Sequence, residues 1–132
     1  MLRGGCLCGS IRYEMDEPPL GEAVCHCKHC QRQAGSAFSI VVAVRASAFR
    51  LQGETRVYAD RGDSGGAVER HFCGTCGSPV YSVVAARPTV RFIKAGTLDD
   101  TTFLAPKTHV WCDSAWAWTP FAADAVKFAK EP

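Results

Sequence analysis

The sequence predicts a mainly β domain of short antiparallel strands with little helix, and three observations carry that reading. Several stretches alternate apolar with polar residues at the period of a half-buried strand, or are rich in β-branched residues. Gly, Pro and Asp punctuate them every few residues, which leaves room for about eight or nine strands. Two cysteine pairs, Cys6-Leu7-Cys8-Gly9 and Cys73-Gly74-Thr75-Cys76-Gly77, have the form of tight knuckles between strands, with Gly9, Gly74 and Gly77 where such turns need φ > 0. The 132 residues suffice for one modest core, so 1–132 is read as a single domain.

Taken in order, residues 10–15 alternate as a strand that Asp16-Glu17-Pro18-Pro19 ends. Glu22-Ala23-Val24 forms a second strand and delivers Cys25. Residues 28–34 suit one or two helical turns stopped by Gly35, with Cys27 and Cys30 flanking their start. Unsatisfied N–H groups at a helix start suit an anionic thiolate cluster. Residues 38–44 form the most apolar stretch and predict a central strand. Residues 49–51 and 55–59 are two strands around the turn Gln52-Gly53-Glu54. The glycine-rich segment 60–66 lacks the Gly-Lys-Ser/Thr ending of a phosphate-binding loop and is a turn with a mobile tip. Residues 67–72 lead into the second knuckle and 79–84 leave it. In 89–95, Val90, Phe92 and Ala95 form the inward set against Arg91 and Lys94, with Ile93 out of phase. Residues 108–112 add a strand. The three tryptophans lie in 111–121 and are assigned to core and pocket wall, while the tail 122–132 is too short to build anything alone.

The N-terminus has no apolar stretch like a secretory signal, and the longest apolar run, residues 40–44, is far too short to cross a bilayer. A cytoplasmic location without a membrane partner is expected. In a reducing compartment eight cysteines point to metal or redox chemistry, and pairs one residue apart, such as Cys6/Cys8 and Cys25/Cys27, would close strained disulfide rings. The formal charge of +2 makes no case for nucleic acid. Seven thiolates on two zinc ions would add three negative charges and bring the protein to about −1.

The chemistry centres on Cys25-His26-Cys27-Lys28-His29-Cys30, three potential thiolates and two imidazoles in six residues. Three ligands from one loop hold a tetrahedral zinc with its fourth position free, the pattern of a reactive site, whereas Cys6, Cys8, Cys73 and Cys76 together supply a closed structural one. Spacing leaves two alternatives open. Cys6/Cys8 could share a metal with members of the trio, and the trio could be closed by Cys112, His26, His29 or His109. His26 and His29 read as solvated loop residues that, with Lys28 and Arg32, offset negative charge; His71 reads as structural. His109 is either a satisfied core histidine or a proton-transfer group, and Cys112 a small buried hydrophobe.

Cys6-Leu7-Cys8-Gly9, Cys25 to Arg32 with Gly35-Ser36, Phe72 to Ser78, Ala95-Gly96-Thr97-Leu98-Asp99-Asp100, and His109 ahead of Trp118 resemble the successive motifs of the glutathione-dependent formaldehyde-activating enzyme family, which includes centromere protein V. The resemblance covers residues 3–121. It implies a zinc-stapled β-tent fold, a structural zinc on Cys6, Cys8, Cys73 and Cys76, and a second, exchangeable zinc on Cys25, Cys27 and Cys30. It also implies carbon–sulfur lyase chemistry on a small thiol, glutathione in the name-giving reaction with formaldehyde, with His109 as a candidate for moving the proton. Cys112-Asp113-Ser114-Ala115-Trp116-Ala117-Trp118 departs from the family's aliphatic and lysine-containing approach to the final tryptophan. The alternative is a non-enzymatic zinc-stapled module for a macromolecular partner.

Overall fold

The computed structural model describes residues 1–132 and is mainly β, with two sheets and one short helix. The small sheet is antiparallel and orders β1 (Leu2–Gly5), β2 (Arg12–Met15) and β5 (Phe49–Gln52). The large sheet contains β3 (Gly21–Cys25), β4 (Ser39–Arg45), β6 (Thr55–Arg61), β7 (Ala67–Cys73), β8 (Pro79–Val84), β9 (Val90–Lys94), β10 (Thr108–Val110) and β11 (Val126–Lys127), ordered β11-β10-β3-β4-β9-β8-β7-β6. The β-branched run of β4 puts it in the interior of this sheet, paired with β3 and β9. Between the sheets lies a core of Ile11, Tyr13 and Met15 against Val42, Val44, Val80 and Ile93, and Cys6 and Cys73 belong to the same cluster. Each large side chain buried there contributes roughly 1.5–3 kcal/mol.

The helix α1 (Lys28–Ala34) has the expected bounds, and both ends have a cause. The Cys27 sulfur accepts from the Cys30 N–H at 3.2 Å, and Gly35, at φ 64°, takes the left-handed conformation that ends the helix.

Three expectations change, and two points that the sequence leaves open are settled. Strands β5 and β6 flank one turn but enter different sheets, β5 beside β2 and β6 beside β7. The large sheet is mixed, because β10 runs parallel to both β3 and β11. The tail, too short to build anything alone, joins the large sheet: β11 pairs with β10, and the carbonyls of Phe128, Ala129 and Lys130 accept from the N–H groups of Cys112, Asp113 and Trp111. Gly74 does not adopt positive φ, unlike Gly9 (83°) and Gly77 (79°); a Cβ there would meet the Arg56 side chain instead. Two of the three tryptophans are not core: Trp116 and Trp118 are 41% and 67% exposed, whereas Trp111 is half-buried. No helix is long and apolar enough to cross a membrane.

Tyr13 sets an alkaline limit on this fold. Its side chain is buried and its hydroxyl bonds Thr97 Oγ1 at 2.6 Å; burial pushes its pKa up to about 12. A folded-state value above the ordinary 10.0 gives stability that is complete below pH 10 and lost as pH rises through 12. The loss should be ~2–3 kcal/mol. Tyr13→Phe is expected to cost about 1 kcal/mol at pH 7 and to remove that alkaline limb from urea melts between pH 9 and 12.

Candidate metal centre

The two knuckles meet at one corner of the core. Cys6, Cys8, Cys73 and Cys76 bring four sulfurs within 4.8 Å of one another. Cys6 Sγ lies 3.6 Å from Cys8 Sγ, and Cys8 Sγ lies 3.8 Å from Cys73 Sγ. A tetrahedral ion with ~2.3 Å bonds to sulfur requires separations of about 3.8 Å, so this donor set fits a metal. The surroundings are built for thiolates. The Ser10 hydroxyl lies 3.2 Å from Cys8 Sγ and 3.3 Å from Cys73 Sγ, and the Ile11 N–H donates to Cys6 Sγ at 3.2 Å. The Ser78 hydroxyl, 3.2 Å from Cys76 Sγ, draws that thiol down to about 5, and Ser10 draws Cys73 to about 7. Such outer partners orient ligands and tune them. Neither serine is visible as a partner in the cysteine spacing.

The second cluster is local. Cys25 ends β3, Cys27 caps α1 and Cys30 lies in its first turn, and their three sulfurs also fall within 4.8 Å of one another. No fourth cysteine, histidine or carboxylate joins them. The candidates for closing the set are occupied elsewhere. His26 Nε2 meets His109 Nδ1 at 2.9 Å, and His29 lies between Asp60 and Asp63 at 2.9 and 3.2 Å. Cys112 sits in a 3₁₀ turn (Cys112–Ser114) under the tail. His26 is therefore no solvated loop residue: it is fully buried, edge-on to Phe38 and beside Phe121. Burial lowers the pKa of both His26 and His109 and keeps the pair neutral.

Charge around the trio is asymmetric. The Cys25 and Cys27 thiols, and then the charges of Lys94 and Arg70, hold Cys30 well below an ordinary thiol, so the trio carries its first negative charge there. Arg70 is buried and answered by Asp60 at 2.8 Å. Lys94, expected on an outward face, is 7% exposed and donates to Ser39 Oγ at 2.9 Å. Ser39 in turn stands opposite Cys25 in the β3–β4 register. On the side of the cluster where Arg70 lies opens a cleft of about 540 Å³, lined by Lys28, His29, Arg32, Tyr58, Asp60 and Arg70 among others. Gln31 clasps the far side, donating to the carbonyls of His26 and Ser114 and accepting from Trp116 Nε1 at 2.9 Å.

A mainly β scaffold with two sulfur clusters defines a small β domain with donor sets that could hold metal. The sequence profile of the family described as glutathione-dependent formaldehyde-activating enzyme matches residues 1–114, and the chain belongs to that family. The match stops short of the Trp116–Trp118 segment. A protein of Halomonas elongata whose name provisionally gives it the same activity is 28% identical over 86 residues, 61% of this chain and 55% of that protein. The chain thus spans about half the length of that curated relative. The crystal structure of a Rhodobacter sphaeroides protein shares the fold, with a TM-score of 0.58 and 22% identity over 79% of this chain and 91% of that one.

Proposed function

We propose that residues 1–132 act as one domain, a carbon–sulfur lyase that makes or breaks the adduct of a low-molecular-weight thiol with an aldehyde, in the manner of S-hydroxymethylglutathione. The carrying observation is a trio of sulfurs with no fourth protein ligand beside an open cationic cleft. In this reading Cys6, Cys8, Cys73 and Cys76 hold a structural zinc, and Cys25, Cys27 and Cys30 hold a second, exchangeable one. Zinc held by three thiolates supplies a site that deprotonates an incoming thiol at neutral pH, ready to add to an aldehyde carbonyl or, in reverse, to leave a hemithioacetal.

The chain's own residues do the rest. Lys28 and Arg32, one turn apart on α1 with no carboxylate partner, receive the carboxylate of the thiol substrate, and glutathione fits that requirement. His109 accepts the thiol proton, since burial keeps it neutral. Gln31 holds the loop that carries the trio in place.

Zinc counting while small thiols are titrated in tests the reading. Reduced protein should bind two zinc ions, chelator should strip the trio's ion first, and a thiol should bind only when the trio is loaded. One tightly held zinc, with no second equivalent bound on adding zinc and thiol, would overturn it. The exposed pair Trp116 and Trp118, with ring centroids 6.2 Å apart, favours the second reading, a zinc-stapled module for a macromolecular partner. Binding of such a partner by protein that shows no turnover would decide for it.

A further inference from the structure

Arg70 and Lys94 are the buried cations of the long basic side chains, and they differ in one respect. Arg70 has the Asp60 carboxylate at 2.8 Å. Lys94 has no carboxylate within ion-pair reach, only the neutral Ser39 hydroxyl at 2.9 Å. A lone ammonium in that position is costly unless a permanent negative charge lies close by. Burial works against its charge, as does Arg70, whose own charge Asp60 answers; the negative charges that support it are the three cysteines, Cys30 foremost and Cys25 and Cys27 after it.

The geometry is fixed by the sheet. Lys94 ends β9 opposite Val41 on β4, two residues along from Ser39, and Ser39 is the cross-strand partner of Cys25. The Ser39 hydroxyl therefore aims the ammonium toward the strand end that carries the first sulfur. Three thiolates and one divalent ion leave a single negative charge, which one ammonium cancels.

We propose that Lys94 is a positioning residue for the trio's metal: its fixed charge, aimed by Ser39, balances the surplus charge of three thiolates around a divalent ion and so sets the affinity of that site. The inference rests on the trio holding zinc. It assigns no step of the reaction to Lys94.

The test measures zinc affinity at each cluster by chelator competition, with cobalt substitution reporting the sulfur-to-metal absorption band of the trio. Lys94→Met should weaken the trio's zinc affinity about 10–100-fold, the range for outer partners of a metal, and leave the four-cysteine site unchanged. Lys94→Arg should recover most of the loss. The opposite sign is expected when the anions are removed: in a background with Cys25, Cys27 and Cys30 all changed to Ser, Lys94→Met should raise Tm, because an uncompensated buried ammonium is replaced by an apolar side chain. A packing role for Lys94 predicts destabilisation in both backgrounds. That result, a Lys94→Met protein that does not fold, or trio affinity within threefold of the unaltered protein would each overturn the proposal. If the unaltered trio binds no zinc or cobalt, the zinc reading itself fails, which is a separate outcome.

Discussion

Cys8→Ser should unfold much of the molecule's margin of stability although Cys8 is exposed. Substitutions at exposed positions without special roles lie within about 0.5 kcal/mol of neutral. Cys8 differs because its sulfur sits 3.6 Å from Cys6 Sγ and 3.8 Å from Cys73 Sγ, at the corner of a donor set whose other members include two residues of the core cluster. Removing one ligand leaves Cys6 and Cys73 as poorly satisfied buried thiolates and forfeits much of the binding energy of the ion. A loss of ~3–5 kcal/mol is expected. For a domain of this size each kcal/mol moves Tm by about 4 °C, so the melt should fall by roughly 10–20 °C with one zinc lost per chain. An unchanged Tm and zinc content would show that Cys8 is a surface thiol and that the four-sulfur site is not a metal site.

Cys27→Ser should do the reverse, abolishing turnover while the fold survives. Cys27 caps α1 through its sulfur, and serine is among the best N-cap residues, so the local structure has a substitute for the bond to the Cys30 N–H. The trio, however, drops to two sulfurs. We expect the second zinc to be lost and kcat/KM for the thiol–aldehyde adduct to fall by on the order of 10³ or more, about 4 kcal/mol of transition-state stabilisation. Tm should change by only a few degrees. Retained turnover with one zinc per chain would place the chemistry elsewhere.

What was legible in the sequence was local. Residues 28–34 suit one or two helical turns because Gly35 stops them, and the structure adds that Cys27, expected only to flank their start, is the N-cap. Spacing marks the two knuckles and the trio as candidate ligand groups but leaves their pairing open; the family resemblance implies the grouping, and the sulfurs of each group lie within 4.8 Å of one another. Long-range placement was not legible. Alternation says that a strand has two faces but not which neighbour covers each, so β5 and β6 could not be sent to different sheets from one turn. Lys94 read as outward because lysine is outward unless a charge waits for it, and that charge comes from residues more than sixty positions away. His26 read as solvated because its partner, His109, reaches it only through the parallel pairing of β10 with β3. The tryptophans read as core and pocket wall by residue type, yet Trp116 and Trp118 lie on the surface.

The two clusters also differ in how far along the chain they reach. The trio is complete within six residues, whereas Cys8 and Cys73 are separated by 65 positions. During synthesis at ~5–20 residues per second, the nascent chain presents a finished three-sulfur chelator seconds before the knuckles can meet. Bringing distant knuckles together removes about 4 kcal/mol of chain entropy from the unfolded ensemble, a gain that a six-residue chelate cannot match. If both clusters take zinc as proposed, the early chelator would meet an ion first and the late one would hold it more firmly.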